Sequence, residues 1–303
     1  MNWSEIDTWI VVTGALISMA CALPGLFLLL NRQSMLGDAI SHSVLPGLAI
    51  AFLATHSRAP WAMLIGAVIA GLLTGVLTQL VQRYGKVEPG AAMGVVFCSL
   101  FALGLILIRA AADHVDLDPG CVLYGTIETA VVDVGTVPGM AWQSAAMLAV
   151  NLVLTWFCYK ELTIVAFDPA MAATQGINAT WVRQALVIIT AITTVLAFES
   201  VGSILVIAML VAPAAAATLL SHRLPVILVL TLLFAAISAG LGHIAAIAVF
   251  PPLLRRMTGL AEIGATSSAG MMAVTAGVVF VLCLGWYSVA RQRGHRQVEA
   301  PAI

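Results

Sequence analysis

Apolar residues run along this chain in long unbroken blocks, without the spacing of a half-buried element. Nine blocks stand out, at 9–31, 36–55, 61–82, 90–109, 138–159, 183–199, 201–221, 225–249 and 268–290. Most reach the roughly 20 residues that a helix needs to cross a bilayer. The pattern predicts an all-α fold, a polytopic transmembrane helix bundle of about 8–9 spans. Charged and turn residues punctuate it at Asn31-Arg32-Gln33, His56-Ser57-Arg58-Ala59-Pro60, Arg83-Tyr84-Gly85-Lys86 and Phe250-Pro251-Pro252. A tenth stretch, 119–135, is mildly apolar but carries Glu128 and Asp133, which fits a segment that re-enters the membrane shielded by protein.

Composition removes the soluble alternative. Of the residues, 61% are hydrophobic and 9% charged, against roughly 25% charged in a soluble domain. Residues 1–303 therefore read as one membrane domain embedded in lipid. A net charge of -1 provides no basic field for nucleic acid. The cysteines, Cys21, Cys98, Cys121, Cys158 and Cys283, form no CxxC pair and read as small packing hydrophobes. The N-terminus carries Glu5 and Asp7 and no cation, unlike the basic start of a signal peptide. The first block is thus expected to be a retained span with its acidic end outside.

Cations then orient the bundle. With the N-terminus outside and alternating crossings, Arg32, Arg83, Lys86, Lys160, Arg183, Arg223, Arg291, Arg293 and Arg296 fall inside. Arg58, Arg109, Arg255 and Arg256 fall outside, as do the acids Asp113, Asp116 and Asp118. The excess predicts N-out and C-in, with 291–303 as a cytoplasmic tail. Gly71 with Gly75, and Gly90 with Gly94, have the GxxxG spacing that lets helices approach closely. Pro213, set among alanines inside a span, is expected to kink it.

The most informative stretch is Gly37-Asp38-Ala39-Ile40-Ser41-His42-Ser43-Val44-Leu45-Pro46-Gly47. Asp38 and His42 are four apart and share one helix face. Carboxylate oxygen with imidazole nitrogen suits manganese, iron or zinc. A helix starting near Arg32 lifts His42 about 15 Å into the bilayer, where ionisable groups mark pathways. The competing reading makes Asp38 an interfacial cap and His42 a hydrogen-bonded packing residue. Glu199 and His243 are weaker candidates for further ligands. Glu199 reads more readily as a water-facing acid, and His243 as a satisfied histidine inside a span. In the loop 160–182, Asp168 before Pro169 reads as an N-cap with proline at the first helical position, and Gly176 as the stop. No GxxxxGK[ST], HExxH or GxSxG occurs, so the chain has no Walker-type nucleotide site and no intramembrane hydrolase motif of its own.

These residues resemble the permease family of ABC transporters that imports manganese, zinc or iron. The likeness lies in Leu36–Gly47 and in Met93-Gly94-Val95-Val96-Phe97 with Phe101-Ala102-Leu103-Gly104. It continues in Phe167-Asp168-Pro169 with Ala173 and Gly176, and in Val201–Val206 through Pro213-Ala214-Ala215. The resemblance implies a fold like type II ABC importers such as the vitamin B12 permease, set in a bacterial cytoplasmic membrane. It implies two copies of a separate ATPase, a second permease copy or paralogue, and an external metal-binding protein. It places Asp38 and His42 on the path of a transported divalent ion, with no permanently bound cofactor. It makes Phe167, Asp168, Pro169, Ala173 and Gly176 the segment that couples to the ATPase. The Phe-Glu-Ser-Val-Gly form of the late motif and Ser267-Ser268-Ala269-Gly270 lean toward the manganese and iron branch. Arg255-Arg256, a cationic pair beside a cation entrance, departs from expectation. The alternative from the residues alone is a stand-alone secondary transporter or channel using the same Asp38–His42 pair.

Overall fold

The computed structural model describes residues 3–56, 60–111, 127–130, 138–252, 256 and 266–298, and the elements among them are helices. We number them α1 (Glu5–Leu30), α2 (Met35–Thr55), α3 (Pro60–Gly85), α4 (Pro89–Ala111), α5 (Ile127–Ala130), α6 (Gly139–Phe157), α7 (Tyr159–Phe167), α8 (Pro169–Thr174), α9 (Ala179–Leu220), α10 (Leu224–Ile244) and α11 (Ser268–Val298). A π turn, Ala245–Val249, extends α10.

The first helix is the axis of the bundle. Ser4 and Asp7 close a capping box at its start: Asp7 N–H donates to Ser4 Oγ, and Ser4 N–H to Asp7 Oδ2. Between Ala20 and Leu28 almost every side chain is fully buried. A helix apolar all round belongs at the centre, and α1 packs against α6, α9 and α10. Pro24 lies inside it and removes the N–H that would bond the Ala20 carbonyl. An orphan carbonyl in lipid costs several kcal/mol. Here Asn151 of α6 supplies the missing donor, its Nδ2 lying 2.9 Å from Ala20 O and 3.0 Å from Thr193 Oγ1 of α9.

Helix α9 is too long to be one crossing, and it is not one. Gly202 (φ 75°, ψ 168°) breaks it, in a backbone region open essentially to glycine alone. Phe27 shares a cavity wall with Leu186. Gly25, two residues earlier, lies so close to the Leu210 carbonyl that a methyl would overlap it. A straight helix would hold residues 186 and 210 about 36 Å apart. The chain therefore doubles back, and 179–201 and 203–220 descend side by side on α1. Eight described helices are long and apolar enough to span, and the Ile204–Leu220 limb is a ninth, shorter apolar helix. Such a series of apolar helices is that of a multi-pass membrane protein.

Several expectations are corrected. The break falls at Gly202, while Pro213 sits in continuous helix. It lies two turns after the limb's start at Ile204, where neighbouring α1, α2 and α11 hold the limb. Gly71 and Gly75 do meet Ala191 and Val187 of α9, but Gly90 and Gly94 have nothing against them. The helix of the eighth apolar block runs past 249 to Pro252. The loop 160–182 is largely helical, and α7 precedes the capped α8. Most of 119–135, and Asp113, Asp116, Asp118, Arg58 and Arg255, lie outside the described residues. Exposed aromatics ring both ends, Trp3, Trp61 and Trp142 at one and Tyr84, Trp156, Trp181 and Trp286 at the other, as interfacial belts do.

Candidate metal site

Helix α2 begins at Met35 rather than near Arg32. His42 is therefore about 10 Å above the helix start, not 15 Å, with Asp38 one turn below it. Two contacts fix which way this face points. Buried Ser43 shares a hydrogen bond with Thr74 of α3. Gly47 and Gly66 bring the two backbones nearly into contact. With α3 clamped on that side, Asp38 and His42 face away from it.

His42 Nε2 lies 3.3 Å from Asp38 Oδ1, and both side chains remain partly exposed. A metal bound at about 2.1 Å to each holds two such atoms about 3.0 Å apart at right angles and about 3.4 Å apart at the tetrahedral angle. The observed separation lies between them, so one ion fits both atoms without moving the backbone. The same distance is a weak ion pair when no metal is present. Asp38 also opens on a cleft of about 460 Å³ between α2, the Ile204–Leu220 limb and α11, walled by Met35, Val211, Ala212 and Phe280.

Helix α4 closes the other side of the imidazole. Gly104 seats against Pro46 with no room for a methyl. That contact draws Phe97 and Phe101 up to His42, each with its ring centroid 5.4 Å from the imidazole. Phe101 stands edge-on at 81°. The two rings restrict the imidazole and keep its Nε2 toward Asp38. Spacing alone did not single them out, because phenylalanines four apart in an apolar span look like any lipid or core pair; their i, i+4 register with the motif helix was the available signal.

The other candidates lie elsewhere. Among the described residues, no group of three or more His, Cys, Asp or Glu side chains converges. The Glu199 backbone belongs to α9, three residues before the Gly202 reversal, and its side chain lies outside the described ones. His243 is buried beside Ser268 and Asp7, at the α1 start and far from Asp38. At the α8 start, Asp168 accepts 3.0 Å bonds from the N–H groups of Ala170 and Met171. Gly176 takes φ 77° just beyond its end. Pro169 and Ala173 of this short helix are exposed, as are its cap Asp168 and Phe167 at the end of α7.

Residues 4–252 match the ABC 3 transport family. The chain is 43% identical over 247 residues to the manganese transport system membrane protein MntD of Bacillus subtilis (strain 168), covering 79% of this chain and 83% of that one. It is 38% identical to the zinc transport system membrane protein TroD of Treponema pallidum (strain Nichols), over 67% of this chain and 57% of TroD. Among solved structures it resembles PsaBC from Streptococcus pneumoniae in complex with Fab. There the TM-score is 0.71 and the identity 27%, over 92% of this chain and 91% of that one.

Proposed function

This chain belongs to the ABC 3 transport family, and from that premise we propose that it is the membrane permease subunit of an ATP-driven importer for a divalent transition metal, manganese before zinc or iron. The observation that carries the reading is the Asp38–His42 pair, spaced for one ion at 3.3 Å, with Asp38 on the wall of a cleft. Manganese is favoured by the 43% identity to a protein named for manganese transport, and the mixed oxygen and nitrogen donors suit it as they suit zinc or iron. The carboxylate offsets charge that lipid cannot solvate. The imidazole adds one directional nitrogen and must be deprotonated to bind. Two protein ligands with water suit transport, because the ion must leave as well as arrive.

If the eight long helices and the Ile204–Leu220 limb each cross once, Arg32, Arg83, Lys86, Lys160, Arg183 and Arg223 share one face with α7 and α8. The positive-inside rule makes that face cytoplasmic, N-terminus out and C-terminus in. There the exposed α8, with Phe167 ahead of it, meets the ATPase, which supplies the hydrolysis in two copies. A second permease copy or paralogue and an external metal-binding protein complete the assembly in a bacterial cytoplasmic membrane.

Uptake of radioactive manganese, zinc and iron, each offered to cells limited for that metal and carrying the complete transport system, tests this. Asp38→Ala and His42→Ala should each reduce uptake more than tenfold at normal membrane abundance. The double variant should be little worse than either, because the two ligands act as a unit. Near-normal uptake by both single variants would make the pair structural and the reading wrong.

A further inference from the structure

At the opposite end of α1 from Asp38 and His42 there is a second carboxylate–imidazole pair. His243 of α10 is buried, its side chain 2% exposed, and its Nε2 lies 3.4 Å from Asp7 Oδ1. That nitrogen makes no hydrogen bond, the approach being close but not aligned. Asp7 is 19% exposed, so the pair is reached from its own end of the bundle.

The remaining atoms of both side chains are anchored. His243 Nδ1 lies 3.1 Å from Ser268 Oγ. Ser268 is itself held at its N–H, which donates to Glu128 Oε1 at 2.6 Å. Asp7 Oδ2 accepts from both the N–H and the hydroxyl of Ser4 at 2.8 Å. Trp3 stands edge-on to the imidazole, ring centroids 5.9 Å apart. When Nδ1–H donates to Ser268 Oγ, Nε2 turns a lone pair on a carboxylate oxygen. Two acceptors then face each other across 3.4 Å, an arrangement that either a proton on Nε2 or a metal cation between them resolves. Anchoring a ligand's far atom by a hydrogen bond is how metal sites orient their donors. The separation matches the tetrahedral spacing of two ligands on one ion. The π turn Ala245–Val249 follows His243 almost immediately, and such turns gather at functional positions.

We propose that Asp7 and His243 form a second divalent-cation site, for manganese or zinc, separate from the Asp38–His42 pair. Two protein donors and water give a loose site. The proposed import function enters only through its direction: an ion arriving from outside would meet this pair first and be loaded there before crossing.

Binding of manganese(II) to the purified full-length protein in nanodiscs, followed by electron paramagnetic resonance, tests the site apart from transport. A chain carrying Asp38→Ala with His42→Ala should still bind one ion, with nitrogen hyperfine coupling from a single imidazole. His243→Gln in that background should abolish the coupling and weaken binding at least tenfold. Asp7→Asn, which can still accept from Ser4, should weaken binding similarly while the chain stays monodisperse. If the Asp38→Ala, His42→Ala chain binds no manganese, or binds it without nitrogen coupling, Asp7 and His243 are only an ion pair that staples α1 to α10. Uptake abolished by Asp38→Ala with no second binding class would sink this proposal and leave the import function standing. The second class persisting while uptake ignores Asp38 and His42 would do the reverse.

Discussion

At the scale of the residue, both proposed metal sites are pairs, and among the described residues no larger group of His, Cys, Asp or Glu converges. Asp38 and His42 were legible in the sequence because four-residue spacing on a helix dictates a shared face. The rings beside them were not, since an aromatic contact depends on where α4 crosses α2, and Gly104 against Pro46 decides that. Phe97→Leu and Phe101→Leu should keep the fold, because each remains apolar and only half-buried. They should free the imidazole to rotate. The expected result is a three- to tenfold rise in the manganese concentration for half-maximal uptake, with smaller change in maximal rate. Phe101→Tyr, which keeps a ring there, should stay near wild type. A fall in maximal rate alone, at unchanged half-saturation, would assign the rings to gating instead of positioning.

At the scale of the element, the apolar blocks predicted the helices well and the bends badly. The interruption at Glu199 and Ser200 correctly separated two blocks, yet the hinge was assigned to Pro213. Proline breaks a helix by losing one hydrogen bond, which neighbours in a bundle can absorb. A backbone at φ 75° and ψ 168° has no such remedy except glycine. Gly202→Ala should therefore cost roughly 1–3 kcal/mol of strain and lower the yield of folded protein. Pro213→Ala should be tolerated. Thermal unfolding in detergent compares the two, and equal midpoints would contradict the reversal. The short α8 was more legible, because capping chemistry is local. Asp168→Ala should remove both cap bonds, worth about 1 kcal/mol, whereas Asp168→Asn keeps them without the charge. Uptake measured against ATP hydrolysis then separates shape from charge. Loss of coupling in the alanine variant alone points to helix geometry.

At the scale of the whole molecule, the succession of apolar helices followed from counting blocks, and the architecture around α1 did not. No local signal marks the first helix as the one that ends up enclosed by α6, α9 and α10; only the partners' positions do. That arrangement carries a consequence in time. The helix at the centre is synthesised before the helices that enclose it, and Ala20 waits 131 residues for the amide of Asn151. At about 5–20 residues per second the delay is roughly 7–26 s. Throughout it a carbonyl uncovered by Pro24 faces lipid or borrowed water. The nascent chain is therefore most vulnerable before α6 emerges, and quality control has a defined window in which to remove it. Chains truncated after residue 135 should be degraded several-fold faster than chains truncated after residue 160 in a pulse-chase measurement. Pro24→Ala, which restores the local donor, should narrow that gap.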